Sequence, residues 1–405
     1  MTIGIDASRA NKDFKTGTEW YSYYLIVNLV QIDRKNKYIL YSDKPLGRAF
    51  LNDLNLEFNK NVRIKILKWP FRYLWTLGRL TLEMIFCRPD VLFVPAHSLP
   101  LFFPKKTVNT IHDIAFVKNN FLYDQEVLTD NSNFFDKVFS FLVKFLTFGK
   151  YHLKSTEYLN WATKFALKRA KKIITVSNFT KEEILENYSK TKEDKIKVVH
   201  NGFNNILYKI IEDEESKKIV LDKYGIDSPF LLSVGRIERK KNIYNLIEGF
   251  AIFKENNKDS KEKLILVGSA GFGYDEMRYM IEELGVDQDV MILGWVEEAD
   301  LPYIFGSAEA FIFPSLYEGF GIPVLQAMAC GTPVVLSDIK VLHEVAQDSA
   351  LFFDRLNPYD LAQKIKDIIE NKALREDLIK KGSHRSSNFS WRKCAEDTLR
   401  ELNSL

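Results

Sequence analysis

The stretch AFIFPSLYEGFGIPVLQAMACGTPVVLSD, residues 310–338, limits the possible folds of this chain most strongly. It begins and ends with apolar runs that predict short buried strands, and between them an apolar segment beginning at Pro323 predicts a helix. Glu318 lies just past the first strand, where open α/β sheets bind their ligands. Gly319 and Gly321 let the backbone approach a bound group, and the helix start offers unpaired N–H donors to an anion. The stretch therefore predicts a site for a phosphorylated ligand.

Strand and helix patterns alternate in the same way along the rest of the chain. Apolar runs predict strands at 2–7, 38–42, 63–67, 90–95, 107–111, 172–177, 195–200, 229–235, 263–268, 290–295, 310–315, 333–338 and 350–354. This alternation is typical of parallel sheets with helices on both faces. The charged segment 210–218 interrupts the pattern and resembles a linker. We therefore predict an α/β protein with two doubly wound, Rossmann-like domains, 1–205 and 206–390.

The length and composition agree with two globular domains. A chain of 405 residues with 46% hydrophobic content is too long for one ordinary core. The three cysteines lie far apart and form no CxxC pair, which argues against disulfides and against a structural zinc site. The N-terminus begins with a predicted strand rather than with a signal peptide. These features predict a cytoplasmic protein.

Charge is distributed unevenly along the chain. Residues 1–211 carry 33 Lys and Arg against 20 Asp and Glu, whereas the remainder carries 24 against 34. The basic first half predicts contact with an anionic partner, such as a membrane surface or a lipid phosphate. The sequence has no helix-turn-helix, zinc or aromatic-basic RNA signature, so nucleic acid is not the expected partner.

Two segments raise the question of membrane contact. Residues 319–337 are uncharged and about long enough to cross a bilayer, but their three glycines and two prolines argue against a membrane helix. Residues 134–153 are crowded with aromatic and leucine side chains that are separated by lysines. They predict either a basic amphipathic helix on a membrane surface or a helix packed on its own domain.

Candidate functional residues fall at the carboxyl ends of predicted strands in both domains. The first domain has the polar loop to Gly17 and the pair His112-Asp113, and the second domain has Arg236 and Glu318. Ligands of doubly wound sheets bind at such strand ends. We therefore expect the two domains to face each other across a cleft that binds a ligand.

Two kinds of chemistry are predicted from these residue types. Arg236 and Lys241 precede an apolar helix, and two fixed cations at a helix start suit a diphosphate, although such charges can also be solvated surface. His112 could donate to a ligand hydroxyl or stabilise charge in a transition state, or it could simply cap its loop with Asp113. His97 ends another strand and is a weaker candidate on the acceptor side.

Several other motifs are rejected. GSAGFG at 268–273 fits the nicotinamide fingerprint poorly, because its glycines have the wrong spacing. The DxD spacing at 287–289 lies before a predicted strand, away from the expected crevice, so it predicts a solvated turn rather than a metal site. The sequence has no HExxH, P-loop or GxSxG motif.

Together these segments resemble the retaining, GT-B-fold glycosyltransferases of family four. SLYEGFGIPVLQAMACGTPVVLSD is similar to the donor-site signature of that family, SVGRIERKKN to its phosphate-binding segment, and TIHDIAF to its first-domain histidine segment. TVSNFTKEEI and VVHNGF resemble its interdomain strands. FSWRKCAEDTL resembles the helix near the end of the chain that crosses back onto the first domain in that family. Residues 391–405 are therefore expected to pack on the first domain.

The resemblance implies how a nucleotide-diphosphate sugar is held. Arg236 and Lys241 would bind the diphosphate, and the main chain near Val296 would meet the base. Gly17 would let its loop close over the donor phosphate. His112 would hydrogen-bond the sugar near its reacting carbon.

The same resemblance assigns roles to residues of the loop and the helix that follow the first predicted strand of 310–338. Glu318, with the backbone of Phe320, Gly321 and Ile322, would hold the sugar and the phosphate. Family members usually have a second glutamate eight positions after the first, whose carboxylate accepts bonds from the ribose. This sequence has Gln326 there, and an amide still offers one acceptor.

The expected activity is transfer of a hexose, with mannose as one candidate, to a lipid-linked or polysaccharide acceptor at the inner face of a bacterial membrane. The resemblance implies a retaining reaction in which the leaving phosphate takes the acceptor's proton, with no metal and no cofactor. Two alternatives remain. One is a sugar-nucleotide epimerase of the same fold, and the other, motivated by Gln326, is a weakened glycosyltransferase subunit without catalytic activity.

Overall fold

The structure is a computed structural model, and it describes residues 1–69, 75–118 and 155–405. The aromatic segment 134–153 lies outside these described residues. The chain divides into two compact units: the first unit is Met1–His200 with Trp391–Leu405, and the second unit is Asn201–Ser390.

The first unit is built on a parallel sheet, here called the first sheet. Its strands β1 to β7 are Thr2–Asp6, Lys37–Ser42, Val62–Ile66, Val91–Val94, Thr107–Ile111, Lys172–Thr175 and Ile196–Val198. They pair in the order β3-β2-β1-β4-β5-β6-β7. The order reverses direction between β1 and β4, so the loops after these two strands diverge and leave a crevice at their carboxyl ends.

Helices connect the strands of the first unit. Helices α1 to α6 are Gly17–Ile32, Arg48–Leu54, Thr81–Phe86, Ala115–Lys118, Ser155–Arg169 and Asn178–Asn187. The start of α1 has a capping box, in which the side chains of Thr16 and Glu19 each bond the backbone of the other residue. Such a cap fixes the position at which the loop after β1 becomes helical.

The second unit repeats the design with a second sheet. Its strands β8 to β13 are Phe230–Val234, Lys263–Val267, Val290–Gly294, Ala310–Phe313, Val334–Ser337 and Ala350–Phe353. They pair in parallel in the order β10-β9-β8-β11-β12-β13. The direction of winding reverses between β8 and β11, which places the crevice beside the loops after these two strands.

The helices of the second unit pack on both faces of its sheet. Helices α7 to α14 are Glu214–Lys223, Ile243–Asn256, Tyr274–Glu283, Leu301–Ser307, Ile322–Ala329, Lys340–Ala346, Pro358–Glu370 and Lys372–Ser386. The predicted linker at 210–218 is wrong in its second half, because α7 begins at Glu214. The Asp213 side chain accepts bonds from the backbone N–H groups of Glu215 and Ser216, which makes this charged run a capped helix start.

The last helix, α15 (Trp391–Asn403), belongs to the first unit. The Trp391 ring stacks on Tyr24 of α1 with 5.7 Å between centroids. Near its end, the Asn403 side chain accepts a bond from Asn36 at 3.0 Å. The chain therefore returns to the first unit after completing the second.

The predicted fold class is confirmed, since both sheets are parallel with helices between their strands. All thirteen predicted strands are present, with ends within about two residues of those expected. Residues 319–337 form a loop, the helix α11 and the strand β12, as their glycines and prolines suggested. In the described ranges, no helix is long and apolar enough to cross a membrane.

Candidate functional site

The loops after β8, β9 and β10 lie directly against one another at the carboxyl edge of the second sheet. Gly268 has a φ of +145°, and a Cβ placed there would lie 1.9 Å from the Gly235 carbonyl oxygen. The Gly268 N–H donates to the Gly294 carbonyl at 2.8 Å. The first glycine of the GSAGFG segment therefore serves this close approach of backbones, which agrees with its rejection as a nicotinamide motif.

Lys241 and Glu318 meet at this edge, beside the point where the winding reverses. The Lys241 ammonium donates to Glu318 Oε1, and the Ser315 hydroxyl donates to the same oxygen at 2.7 Å. The side chains of Lys241 and Glu318 are only 20% and 13% exposed. The Lys241 Nζ also lies 5.2 Å from the centroid of the Phe313 ring. This cluster of Lys241, Glu318 and Ser315, here called the charged cluster, therefore has a defined geometry.

Ser315 is a member of the charged cluster that the sequence interpretation missed. It is fully buried, and its hydroxyl donates a hydrogen bond to the Glu318 carboxylate. A serine three residues before a loop glutamate, directly after a strand, is the signal that could have indicated it.

Arg236 differs from Lys241, contrary to the expectation of two fixed cations. Its side chain is 54% exposed, and its Nε lies 3.6 Å from a Glu238 carboxylate oxygen. A cavity of about 10 Å³, enough for roughly one water molecule, lies between Gly235, Arg236, Lys241 and Ser315. Arg236 is therefore an exposed charge beside a site in which Lys241 is already held by Glu318.

Helix α11 begins beside the charged cluster. Gly321 is its N-cap with a φ of +109°, and a Cβ there would lie 3.1 Å from Leu342 Cδ2. Gly321 has no side chain that could cap this start, and Pro323 lacks an N–H group, so the positive end of the helix presents the main chain around Ile322. The Phe320 ring is buried against Phe389 with 5.8 Å between centroids, which anchors the loop. The geometry suits an anion at this helix start.

The two remaining donor-side candidates lie at the periphery of this site. Gln326 is half-buried on α11, and its amide has no hydrogen-bond partner among the residues described. Val296 is buried and follows Gly294, the last residue of β10, which has a φ of +68°. The chain turns sharply there, so the main chain near Val296 lies at the carboxyl edge of the second sheet.

His112 directly follows β5 at the carboxyl edge of the first sheet. Its Nε2 lies 3.2 Å from the Pro95 carbonyl oxygen, and the Tyr21 ring packs against it with 4.6 Å between centroids. A carbonyl oxygen only accepts, so Nε2 carries the proton and Nδ1 is left as an acceptor. Burial lowers the pKa of His112, which keeps the ring neutral at pH 7. In this tautomer, the Nδ1 atom can accept a hydrogen bond but cannot donate one.

His97 lies after β4 at the same edge. Its ring packs against Phe116 with 5.9 Å between centroids, and within the described residues its buried Nε2 has no hydrogen-bond partner. Burial lowers the pKa of His97 to about 4, while the nearby Asp113 opposes this shift. His97 is therefore a neutral group, and its Nε2 is a polar atom that is buried at this edge.

Gly17 is the first residue of α1 and follows the polar loop after β1. A Cβ at this position would meet nothing within 4 Å, and the backbone does not adopt a positive φ. The local fold therefore does not require glycine here.

The DxD segment forms a turn before β10, as predicted. The Asp289 carboxylate pairs with the Lys254 ammonium at 3.0 Å, and the Gln288 amide donates to Asp287 at 2.6 Å. The segment lies at the amino ends of the strands, away from the charged cluster. Its side chains are used in surface contacts.

Comparison with known families identifies the class of the protein. A family model described as glycosyl transferases group 1 matches residues 213–385, and a model described as glycosyltransferase family 4 matches residues 16–205. Together the two models leave only short stretches unmatched. The chain therefore belongs to the group 1 glycosyltransferases with a GT-B fold, and it is a transferase.

Individual glycosyltransferases are also similar to this chain, in sequence or in fold. The chain is 29% identical to O-antigen chain mannosyltransferase B of Escherichia coli over 259 residues, 64% of this chain and 67% of the relative. It is 27% identical to the O-antigen chain mannosyltransferase RfbU of Salmonella typhimurium over 363 residues, 88% of this chain and 87% of the relative. The crystal structure of Anabaena HepE in complex with UDP and glucose aligns with a TM-score of 0.69 at 20% identity, covering 100% of this chain and 99% of that one. This last similarity shows the shared fold.

Proposed function

We propose that this protein is a retaining glycosyltransferase that moves a hexose, with mannose favoured, from a nucleotide-diphosphate sugar to a lipid-linked or polysaccharide acceptor in cell-surface glycan synthesis. The observation that carries the proposal is the charged cluster beside an uncapped helix start, at the edge of the second sheet where ligands bind. The mannosyltransferase relatives support the choice of sugar and of glycan acceptor.

In this proposal, binding of the nucleotide sugar changes the hydrogen-bond partners of Lys241 and Glu318 in the charged cluster. A carboxylate only accepts, so Glu318 binds sugar hydroxyl groups. The Lys241 ammonium turns from Glu318 towards the diphosphate, where the exposed Arg236 joins it. Ser315 continues to donate to Glu318 and keeps that carboxylate in place.

The rest of the donor is assigned to main-chain groups and to Gln326. The backbone of Phe320, Gly321 and Ile322 binds the phosphate at the start of α11, and the main chain near Val296 meets the base. The Gln326 amide bonds the ribose through its one acceptor oxygen.

Retention follows from same-face substitution. The bond between the anomeric carbon and the leaving phosphate oxygen breaks, the acceptor oxygen bonds to that carbon on the same face, and the leaving phosphate takes the acceptor's proton. Lys241, Arg236 and the helix dipole stabilise the negative charge that develops on the diphosphate, so the proposal includes no metal and no cofactor. His112 accepts a bond from a sugar hydroxyl at Nδ1, Gly17 lets the loop after β1 approach the phosphate, and His97 contacts the acceptor.

A donor screen tests this function. Purified protein would be incubated with GDP- and UDP-linked hexoses and a glycan acceptor, and the anomeric configuration of the product would be determined by NMR. We expect transfer from one donor with retained configuration. Absence of both turnover and nucleotide-diphosphate binding would refute the proposal, and a changed donor sugar without acceptor would indicate an epimerase instead.

We also propose peripheral contact of the first unit with an anionic membrane at the cytoplasmic face. The support is the excess of cations in residues 1–211. Sedimentation with vesicles tests this contact. We expect retention on anionic vesicles that decreases with ionic strength, and equal retention on neutral vesicles would contradict it.

A further inference from the structure

Helix α3 exposes an apolar face. Leu82, Ile85 and Phe86 have helical i, i+3, i+4 spacing, and all three are exposed, with Phe86 80% exposed. Side chains with this spacing normally face the core of a domain. Here the opposite face of α3, with Met84, is buried instead. The exposed face therefore has no packing role among the described residues.

The loop after β4 extends this apolar face. The Leu101 N–H donates to the Thr81 hydroxyl at 2.9 Å, which attaches the loop to the first residue of α3. Leu101 and Phe102 are both exposed, and Phe102 is 59% exposed. Two aromatic and three aliphatic side chains are thus exposed on a helix and a loop that are bonded to each other.

Cations surround the nearby starts of three adjacent strands. The exposed cations at the starts of β4, β5 and β6 are Arg88, Lys105, Lys106, Lys168, Arg169 and Lys171. The strand starts are in contact, because the Leu92 N–H donates to the Lys106 carbonyl at 3.0 Å and the Lys171 N–H donates to the Thr107 carbonyl at 2.8 Å. The positive charges are therefore concentrated along one edge of the first sheet.

Few carboxylates balance these cations. Within the described ranges, none of the six forms an ion pair with a carboxylate. Asp90 lies among them and accepts the Thr2 N–H at 2.7 Å, while Glu401 pairs with Lys172 at 2.6 Å. The edge therefore keeps a net positive charge.

The apolar and basic parts meet at Phe103. This ring packs against Phe165 with 6.0 Å between centroids, and the Arg169 guanidinium lies 5.9 Å from the Phe103 centroid. Phe103 directly follows the exposed Phe102. The two parts therefore form a continuous surface, here called the docking surface.

We propose that the docking surface binds a bilayer that contains anionic lipids, with the apolar side chains in the interface and the cations on the headgroups. This inference deepens the proposed membrane contact by naming its surface. Charge complementarity and the exposed apolar side chains both favour a lipid surface, whereas a nucleic-acid duplex would use the cations alone. The cations of this surface lie at the amino ends of the strands, roughly 15 Å along β4 and β5 from the edge that holds His97 and His112. Docking therefore leaves that edge accessible.

The experiment uses the full chain with phosphatidylcholine vesicles, with and without phosphatidylglycerol. We expect Lys105→Glu with Lys106→Glu to lower the partition onto anionic vesicles by at least about tenfold. The matched control, Lys258→Glu with Lys261→Glu, makes the same charge change at exposed positions of the second unit and should bind like the unchanged protein. Equal binding of the first variant and the control would overturn the proposal.

A second variant, Phe86→Ser with Phe102→Ser, tests the apolar part without changing the charge. It should reduce vesicle binding at high salt, where the electrostatic contribution is screened, and circular dichroism would confirm its fold. Unchanged vesicle binding, together with equal binding of duplex DNA, would indicate a nucleic-acid surface and overturn the proposal. Nucleotide-diphosphate binding should persist in both variants, so failure of this inference remains distinct from failure of the proposed transferase.

Discussion

The carboxyl edges of the two sheets carry different kinds of polar group. In the second sheet, Lys241 and Glu318 form an ion pair with low exposure. In the first sheet, His97 and His112 have lowered pKa values because burial disfavours their charged forms. The same winding of the chain thus supports a half-buried ion pair at the edge of one sheet and two neutral imidazoles, near the Arg9–Glu19 ion pair, at the edge of the other.

The loops that follow the strands therefore determine which polar groups lie at each carboxyl edge. Both crevices follow from strand order, but the loop after β11 brings an acid and a serine to one lysine, whereas the loops after β4 and β5 place imidazoles among aromatic rings. Charged side chains suit a diphosphate and neutral imidazoles suit hydroxyl groups. The following predictions test whether this division is functional.

The largest effect is expected for Lys241→Ala. Loss of this cation removes stabilisation of the leaving diphosphate, so kcat/KM for the donor should decrease about a hundredfold or more. Steady-state kinetics measure the change. Lys240→Ala is the matched control, because the ammonium of the neighbouring Lys240 lies 5.8 Å from the centroid of the Tyr317 ring, and its kinetics should remain near normal. Similar kinetics for both variants would contradict a specific role of Lys241 in stabilising the leaving diphosphate.

Acid should destabilise the carboxyl edge of the first sheet through His97. Its pKa is about 4 in the folded protein against a usual 6.5, so below about pH 6.5 the unfolded chain binds a proton that the folded chain does not. Stability is therefore lost as pH decreases from about 6.5 towards 4, by up to about 3 kcal/mol from this group.

Chemical denaturation across this pH range measures the effect. His97→Asn should flatten the pH dependence of the free energy of unfolding relative to the unchanged protein. His384→Asn is the control, because that ring is exposed. Parallel curves for all three proteins would mean that His97 titrates normally.

Gly17→Ala separates a ligand role from a structural role. The position has room for a methyl group, so the melting temperature should be unchanged, whereas the donor KM should rise about tenfold if the phosphate contacts this backbone. Gly321→Ala is the contrasting variant: its positive φ predicts a loss of about 1–3 kcal/mol in stability. An unaltered KM for Gly17→Ala would exclude the loop after β1 from donor binding.

The smallest effect is expected for Gln326→Glu. A carboxylate strengthens the hydrogen bond to a ribose hydroxyl, so nucleotide-diphosphate affinity should rise by about fivefold. Isothermal titration calorimetry would measure it, and Gln326→Ala should weaken the same affinity. Identical affinities for all three side chains would show that the ribose does not reach α11.

Much of the fold could be predicted because apolar periodicity is a local property of the sequence. The strand predictions rested on apolar runs of five to seven residues, and these runs form the strands of both sheets. The linker prediction failed at 210–218 because charge was given more weight than the Asp213 cap and the acidic first turn of α7. Both signals were present in the sequence.

The candidate site was only partly predictable. Glu318, Lys241 and His112 could be placed at strand ends, because the carboxyl ends of parallel strands meet at one edge. The Ser315 contact, the exposure of Arg236 and the tautomer of His112 could not be predicted, because each depends on atoms brought together by packing.

The sequence by itself determined two doubly wound units and the position of each functional loop, because strand and helix periods and glycine positions are encoded locally. Only the tertiary structure decided which groups are charged and which are fixed. Lys241 and Glu318 are 77 positions apart, and their pairing requires β8 and β11 to be neighbours in the sheet. The neutrality of His97 likewise requires burial, which exists only once the sheet and its helices have packed.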